Sequence, residues 1–223
     1  MNDTQKLCVK KPQDWGALMD IARDNGYGLA KNSLWPWINV TLLVSVVLLV
    51  AVFMHIPALE KSWHLWTRYT ARLSFFLFLA AYLAAPLYEL VKNPATAWLS
   101  RQRRNSGISF GIAHTIHLAA LIGFYLIADI PAEMPTVIVG GGAYFAMLLM
   151  LATSNDAALR RLGKTNWRRL HKFGAHYLAV VFAFTYLSQF LGGLNKPPIL
   201  LILAIAAIVL RIFITLKSRW EAP

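Results

Sequence analysis

The chain has 223 residues, of which 57% are apolar and 13% aromatic, with a mean hydropathy of +0.50. That is too apolar for a soluble globular domain and typical of a polytopic membrane protein, and one compact bundle uses up the length without leaving a stretch for a soluble catalytic domain. The formal net charge is +12 with a pI near 10.1, but the Lys and Arg residues gather in short connections between apolar spans, the pattern of topological bias and of attraction to anionic lipid headgroups rather than of nucleic-acid binding.

Residues 1–32 carry Asp3, Asp14, Asp20 and Asp24 and no early apolar core, so they read as a retained cytoplasmic tail and not as a signal peptide. Within the tail, residues 14–31 place Trp15, Leu18, Met19 and Ile21 where a short amphipathic helix would lie on the membrane. Cys8, the one cysteine, has no internal disulfide partner, and no cysteine cluster is present for iron–sulfur or zinc chemistry.

A membrane-crossing helix needs about 20 apolar residues. Six such spans follow the tail, at 36–56, 69–91, 107–128, 135–153, 172–191 and 197–216. The expected fold is therefore all-α, a six-helix transmembrane bundle over residues 33–219, with 220–223 as a short C-terminal tail. Connections are short, so consecutive spans pack antiparallel. The connection after the second span carries Lys92, Arg101, Arg103 and Arg104; that after the fourth carries Arg160, Arg161, Lys164, Arg168 and Arg169. The opposite side carries Asp129 and Glu133, a lone Lys196, and the mixed set Glu60, Lys61 and Arg68. Both termini are thus expected in the cytoplasm. Trp63, Trp66 and Tyr69 on the outer side, and Trp98 and Trp167 on the inner side, suit interfacial belts. Pro86 interrupts the second span and should kink it, and Gly140-Gly141-Gly142 permits close approach of a neighbouring helix.

Four histidines sit in two apolar segments, the third span and the entry to the fifth. His114 and His117 are three residues apart on the third span and share a helix face; His171 and His176, five apart at the entry to the fifth, point about 140° away from each other. Ionisable groups within a membrane helix are expensive and mark function. Neutral imidazole is the commonest protein ligand of haem iron, and an iron porphyrin between two helices would account for all four. At about 1.5 Å per residue, His114 lies ~15 Å and His117 ~20 Å beyond Arg104, while His171 lies ~3 Å and His176 ~10 Å beyond Arg169. Depth therefore pairs His114 with His176. The competing reading is that the imidazoles bond across helices or line a wet cavity. A bare zinc or copper site is weaker, since no Cys, Asp or Glu stands near the four. Two intramembrane arginines join the candidates. Arg72 is placed to pair with haem propionates through its planar fork. Arg211, deep in the sixth span, is placed to meet Glu89, a propionate or a quinone carbonyl.

The residues Arg103-Arg104, Gly107, Phe110 and His117, followed by Thr153–Gly163 and then Trp167-Arg168-Arg169-Leu170-His171, resemble the ferric-reductase-like transmembrane family. That family includes the cytochrome cores of ferric reductases and NADPH oxidases and the haem subunit of bacterial methionine sulfoxide reductase systems. The resemblance covers roughly residues 69–191. It implies His117 and His171 as ligands. It also implies a second histidine thirteen positions after His171, where this chain has Phe184; one haem b is therefore expected, or two only if His176 serves an unusual second site. No Cys-x-x-Cys-His is present, which excludes covalent c-type attachment.

The function expected is that of a b-type cytochrome moving electrons through bis-histidine haem, as the membrane component of a reductase system. Bis-histidine ligation favours outer-sphere electron transfer over oxygen binding. No Gly-x-Gly-x-x-Gly is present, so electrons would enter from quinol, a free flavin or a separate donor protein docking on the basic inner rim. The expected location is the inner (plasma) membrane of a bacterium, with the lipid bilayer as partner and no nucleic acid. Alternatives from other classes are a haem-free scaffold or transporter that relays protons through its histidines, and a sensor or anchor subunit.

Overall fold

The computed structural model describes residues 33–131, 133–192 and 198–220. The tail with Cys8 and its amphipathic segment, Lys196 and residues 221–223 lie outside the described residues. The chain divides into two units, residues 1–34 and Trp35–Pro223; the second is the one described below. Its described residues form helices α1 (Trp35–His55), α2 (Leu59–Leu90), α3 (Pro94–Arg101), α4 (Arg103–Ala128), α5 (Met134–Ala152), α6 (Asp156–Leu191) and α7 (Ile199–Trp220), with no strand among them. The all-α class holds.

Five helices, α1, α2, α4, α6 and α7, are long and apolar enough to cross a membrane. The fourth expected span forms α5, whose apolar stretch Thr136–Ala152 is shorter. The outward faces carry exposed Val46, Leu148, Phe184, Ile202 and Val209. So much exposed apolar surface is untenable in water and suits acyl chains. This is an integral membrane protein.

The elements depart from the apolar spans at their ends. α2 begins ten residues early, at Leu59, after Ala58 in extended conformation; in its first turn the Ser62 hydroxyl lies 2.9 Å from the Ile56 carbonyl and 3.2 Å from that of Ala58, tying the turn to the preceding connection. Trp66 accordingly does not join the outer belt: it is buried with Val52 and Ala120. The inner connection after α2 folds as α3. Asn93 caps it by accepting from the Thr96 N–H at 2.8 Å, with Pro94 in the first turn. Gln102 then breaks the chain before α4, held by donors from Trp37 Nε1 at 3.1 Å and Asn105 Nδ2 at 2.8 Å. The connection before the fifth span is also helical. α6 starts at Asp156 on an Asn155 cap and turns at Gly163 (φ 74°, ψ 152°), a conformation essentially reserved for glycine.

α2 is the central element. It packs most extensively on α4 and also meets α1, α3 and α7; α6 packs on α5 and α7. Of the glycine run, only Gly142 meets a neighbour closely: a Cβ there would sit 2.6 Å from the Tyr177 hydroxyl, whereas Gly140 and Gly141 face open space. Phe75, Phe78, Phe110 and Phe182 form an aromatic layer across the middle of the bundle, with neighbouring ring centroids 5.1–5.3 Å apart for Phe75–Phe182, Phe78–Phe182 and Phe78–Phe110.

Candidate functional site

Two cavities of about 650 Å³ each lie in the bundle, and no residue lines both. The first, the outer cavity in the orientation expected from the sequence, opens where α2 and α7 begin and α4 and α6 end. His114 and His117 from α4, Arg68 and Arg72 from α2, and Val181 and Tyr186 from α6 are among its walls. The second lies toward the inner ends. It is framed by Arg103, Arg104, Arg168, Lys172, Arg211 and His171 over an apolar floor that includes Phe110 and Met147. The aromatic layer stands between them: Phe182 lines the outer cavity, Phe78 and Phe110 the inner.

The hydrogen bonds of the α4 imidazoles favour one tautomer. The Thr70 hydroxyl reaches the Trp66 carbonyl at 2.8 Å and the Thr67 carbonyl at 3.0 Å, and it sits 3.3 Å from His117 Nδ1. A hydroxyl has one proton. With that proton on a backbone carbonyl, Thr70 accepts from His117 Nδ1–H. His114 repeats the arrangement one turn earlier: the Ser74 hydroxyl donates to the Ala71 carbonyl at 2.9 Å and accepts from His114 Nδ1–H at 3.0 Å. In that tautomer His114 has an unprotonated Nε2, the form that ligates a metal; His117, which also bonds the Thr67 backbone, has the same form when Nδ1 carries its proton. The two differ in surroundings. His114 is 7% exposed and packed by Tyr144 (4.6 Å, stacked), Phe110 and Phe182. His117 touches only His114 among these rings.

On the inner side Thr153, at the end of α5, holds α6. Its hydroxyl donates to the Leu149 carbonyl at 2.6 Å and accepts from His171 Nε2–H at 3.0 Å, and its own carbonyl accepts from Trp167 Nε1 at 2.8 Å. Trp167 stacks on His171 at 4.0 Å. His176 bonds the Tyr82 hydroxyl through Nδ1 at 2.9 Å and lines neither cavity.

The four histidines are therefore not brought together. His114 and His117 share a wall, His171 stands on the other cavity, and neither His117 with His171 nor His114 with His176 faces a common space. Among the described residues no three His, Cys, Asp or Glu side chains gather as for a bare metal ion. Arg72 lines the outer cavity as expected. Arg211 lines the inner one, but its principal partners are the Tyr82 carbonyl, to which Nη1 donates, and the Tyr82 ring, 4.4 Å from Cζ. Arg104 ties α4 to the α5–α6 turn through the Ser154 carbonyl (3.0 Å) and Asp156 (3.7 Å). Sequence reasoning missed Thr70, Ser74 and Thr153. Each is a hydroxyl placed one or more helices away from its histidine, and only the register of two helices reveals the pairing.

The outer cavity fits a porphyrin. Its volume lies within the ~300–1,000 Å³ of cofactor-sized pockets. Its walls are mainly apolar, two arginines sit toward its mouth, and the wall tyrosines Tyr144 and Tyr186 carry buried hydroxyls without a hydrogen-bond partner. An all-helical membrane bundle with metal-ready imidazoles on an internal, macrocycle-sized cavity defines a cofactor-carrying membrane protein of the cytochrome b class. No family profile matches the chain, and no solved structure matches it. Among curated proteins it is similar to the protein-methionine-sulfoxide reductase haem-binding subunit MsrQ of Cronobacter sakazakii, 31% identical over 149 residues, or 64% of this chain and 70% of that protein. The MsrQ of Salmonella arizonae is 29% identical over 64% of this chain and 73% of its own length; that of Azospira oryzae is 32% identical over 52% and 48%. The chain belongs to the MsrQ haem-binding subunit family. The family resemblance read from the histidine-bearing spans is thus borne out, in its methionine sulfoxide reductase branch.

Proposed function

We propose that this chain is the haem-carrying membrane component of a protein-methionine-sulfoxide reductase system, and that it passes electrons across the bilayer toward another subunit of that system. The observation that carries this reading is the outer cavity wall: His117, its Nδ1 proton fixed by Thr70, presents a free Nε2 to a space the size of a porphyrin. His117 is the axial ligand from α4. His114, packed on three sides by aromatic rings, positions it, and Arg72 with Arg68 pairs the propionates at the mouth. Bound haem b supplies one-electron redox chemistry; the helices supply a dry wall and a fixed imidazole.

The inner cavity receives the donor, either a quinol or a flavin from a separate reductase. An aromatic wall (Trp167, His171) beside the cations Arg103, Arg168 and Arg211 suits a flat, electron-rich ring with anionic or carbonyl edges. Six crossings, with α5 as the sixth, put both termini in the cytoplasm of a bacterial inner membrane; the arginine-rich ends of α4 and α6 support that orientation.

The test is a pyridine haemochrome assay on protein purified with adequate haem supply. About one b-type haem per chain is expected in the wild type. His117→Ala should lose most of it and His114→Ala should retain it. Haem-free wild-type protein would favour the proton-relaying scaffold instead.

A further inference from the structure

α6 begins well before its apolar span. The span expected from hydropathy starts at residue 172, but the helix starts at Asp156, and it changes direction at Gly163, whose φ of 74° and ψ of 152° interrupt the helical geometry. The two turns ahead of that bend are amphipathic. At about 100° per residue, Ala158, Leu159 and Leu162 fall on one face and Arg160 with Arg161 fall roughly opposite. Leu159 walls the inner cavity, whereas Leu162 stands clear of it and is 38% exposed. Beyond the bend the cations continue with Lys164, Arg168 and Arg169, and all five are exposed. Asp156, the one acid of α6, is engaged by Arg104 of α4 at 3.7 Å, so α6 itself offers these cations no free carboxylate. The segment is fixed at the end of the bundle. It follows Ala152, the last residue of α5, after a three-residue turn; the Asn155 side chain caps it by accepting from the Ala158 N–H at 2.8 Å, and Trp167 Nε1 donates to the Thr153 carbonyl at 2.8 Å.

A helix in water has no use for a leucine face, and a helix in the hydrocarbon core has no place for these cations; the boundary between the two accommodates both. We propose that residues 156–162 lie in the headgroup layer at the basic end of the bundle, with Leu162 turned toward the acyl chains, and that Arg160, Arg161 and Lys164 bind the phosphates of anionic phospholipids. A polybasic run beside a membrane-crossing helix gains from each cation it brings within a Debye length of an anionic leaflet. An acidic protein would match the charges but would leave the exposed leucine side of the same two turns in water. Leu159 and Arg168 also wall the inner cavity, so the bound headgroups stand beside it.

The full-length protein in phosphatidylcholine bilayers, with spin-labelled phosphatidylglycerol or phosphatidylcholine added in trace, tests the site. The motionally restricted fraction is expected to favour phosphatidylglycerol by about 10-fold or more at low ionic strength, and the preference to fall as salt is raised. The triple variant Arg160→Gln, Arg161→Gln, Lys164→Gln should bring the two lipids close to parity, whereas Arg160→Lys with Arg161→Lys should keep the preference, since either cation meets a phosphate. Equal restriction of the two lipids by the wild type would overturn the site and leave the cations to an acidic protein; a preference undiminished in the Gln variant would overturn the choice of residues. Should the Gln variant fail to fold, the wild type decides, because a preference insensitive to salt contradicts exposed cations. Nitroxides at Arg161→Cys and Leu162→Cys, in a Cys8→Ser chain, read the placement: collisions with oxygen should dominate at 162 and with a water-soluble nickel chelate at 161. Water-like accessibility at both positions would overturn the interfacial placement.

Discussion

Thr70 has a single hydroxyl proton, and where that proton goes decides what His117 can do. Given to a carbonyl of its own helix, it leaves Thr70 as the acceptor of a His117 Nδ1–H, and that tautomer has an unprotonated Nε2. Removing the hydroxyl leaves the ring free to rotate and to take the other tautomer. Thr70→Val should therefore weaken haem binding by about 10-fold or more, the usual effect of losing a partner of a ligating histidine, and Thr70→Ser should restore it. Haem titration of apoprotein, followed by Soret absorbance, reads both. Equal affinity in Thr70→Val and wild type would mean that Thr70 does not set the tautomer. At this scale the sequence was legible for the costly residues only. An imidazole within an apolar span announces itself, whereas a threonine or serine in a membrane helix ordinarily bonds its own i−4 carbonyl, as Thr41 and Thr215 do. Nothing in the chain distinguishes Thr70 or Ser74 from them until α2 is set against α4.

Among the elements, α2 shows how two conspicuous residues explain one another. Pro86 has no N–H, so the carbonyl four residues earlier, that of Tyr82, loses its helical donor. Arg211 of α7 donates to that carbonyl and lays its guanidinium over the Tyr82 ring. The helix accordingly continues through Pro86 to Leu90, and an arginine deep in an apolar span acquires a structural reason to be there. Arg211→Met strands the carbonyl, which should destabilise the protein by about 1–3 kcal/mol. Pro86→Ala restores the helical donor, so Arg211→Met should cost less in that background, with a coupling of about 1 kcal/mol or more. Thermal unfolding in detergent of the four proteins of the cycle measures it; additive effects would separate the two residues. The sequence showed both residues plainly. It did not show their pairing, because the partner is a backbone atom 129 positions from Arg211. Element ends were misread for a related reason. Hydropathy locates the lipid-crossing part of a helix, while α2 and α6 run on into polar turns, that of α6 begun by the Asn155 cap and bent at Gly163.

For the molecule as a whole, the charge asymmetry and the two cavities point the same way. The inner ends of α4 and α6 carry Arg103, Arg104, Arg160, Arg161, Lys164, Arg168 and Arg169, against Asp129 and Glu133 at the opposite turn. Each cation transferred across an energised membrane would move against the potential at about 2.3 kcal/mol per 100 mV, which favours the proposed orientation with the basic turns on the cytoplasmic side. α5 is the element this argument depends on. Its apolar stretch is short, and if it did not cross, α6 would enter from the outside and the arginines of its first turns would be stranded there. A crossing α5 keeps both basic turns together, next to the inner cavity, and puts His117 toward the opposite end of the bundle. Fusions decide the matter: a fluorescent protein that matures only in the cytoplasm should be bright after residue 154 and dark after residue 130, and periplasmic alkaline phosphatase should give the reverse. Darkness at both positions would take α5 out of the membrane and remove the sixth crossing.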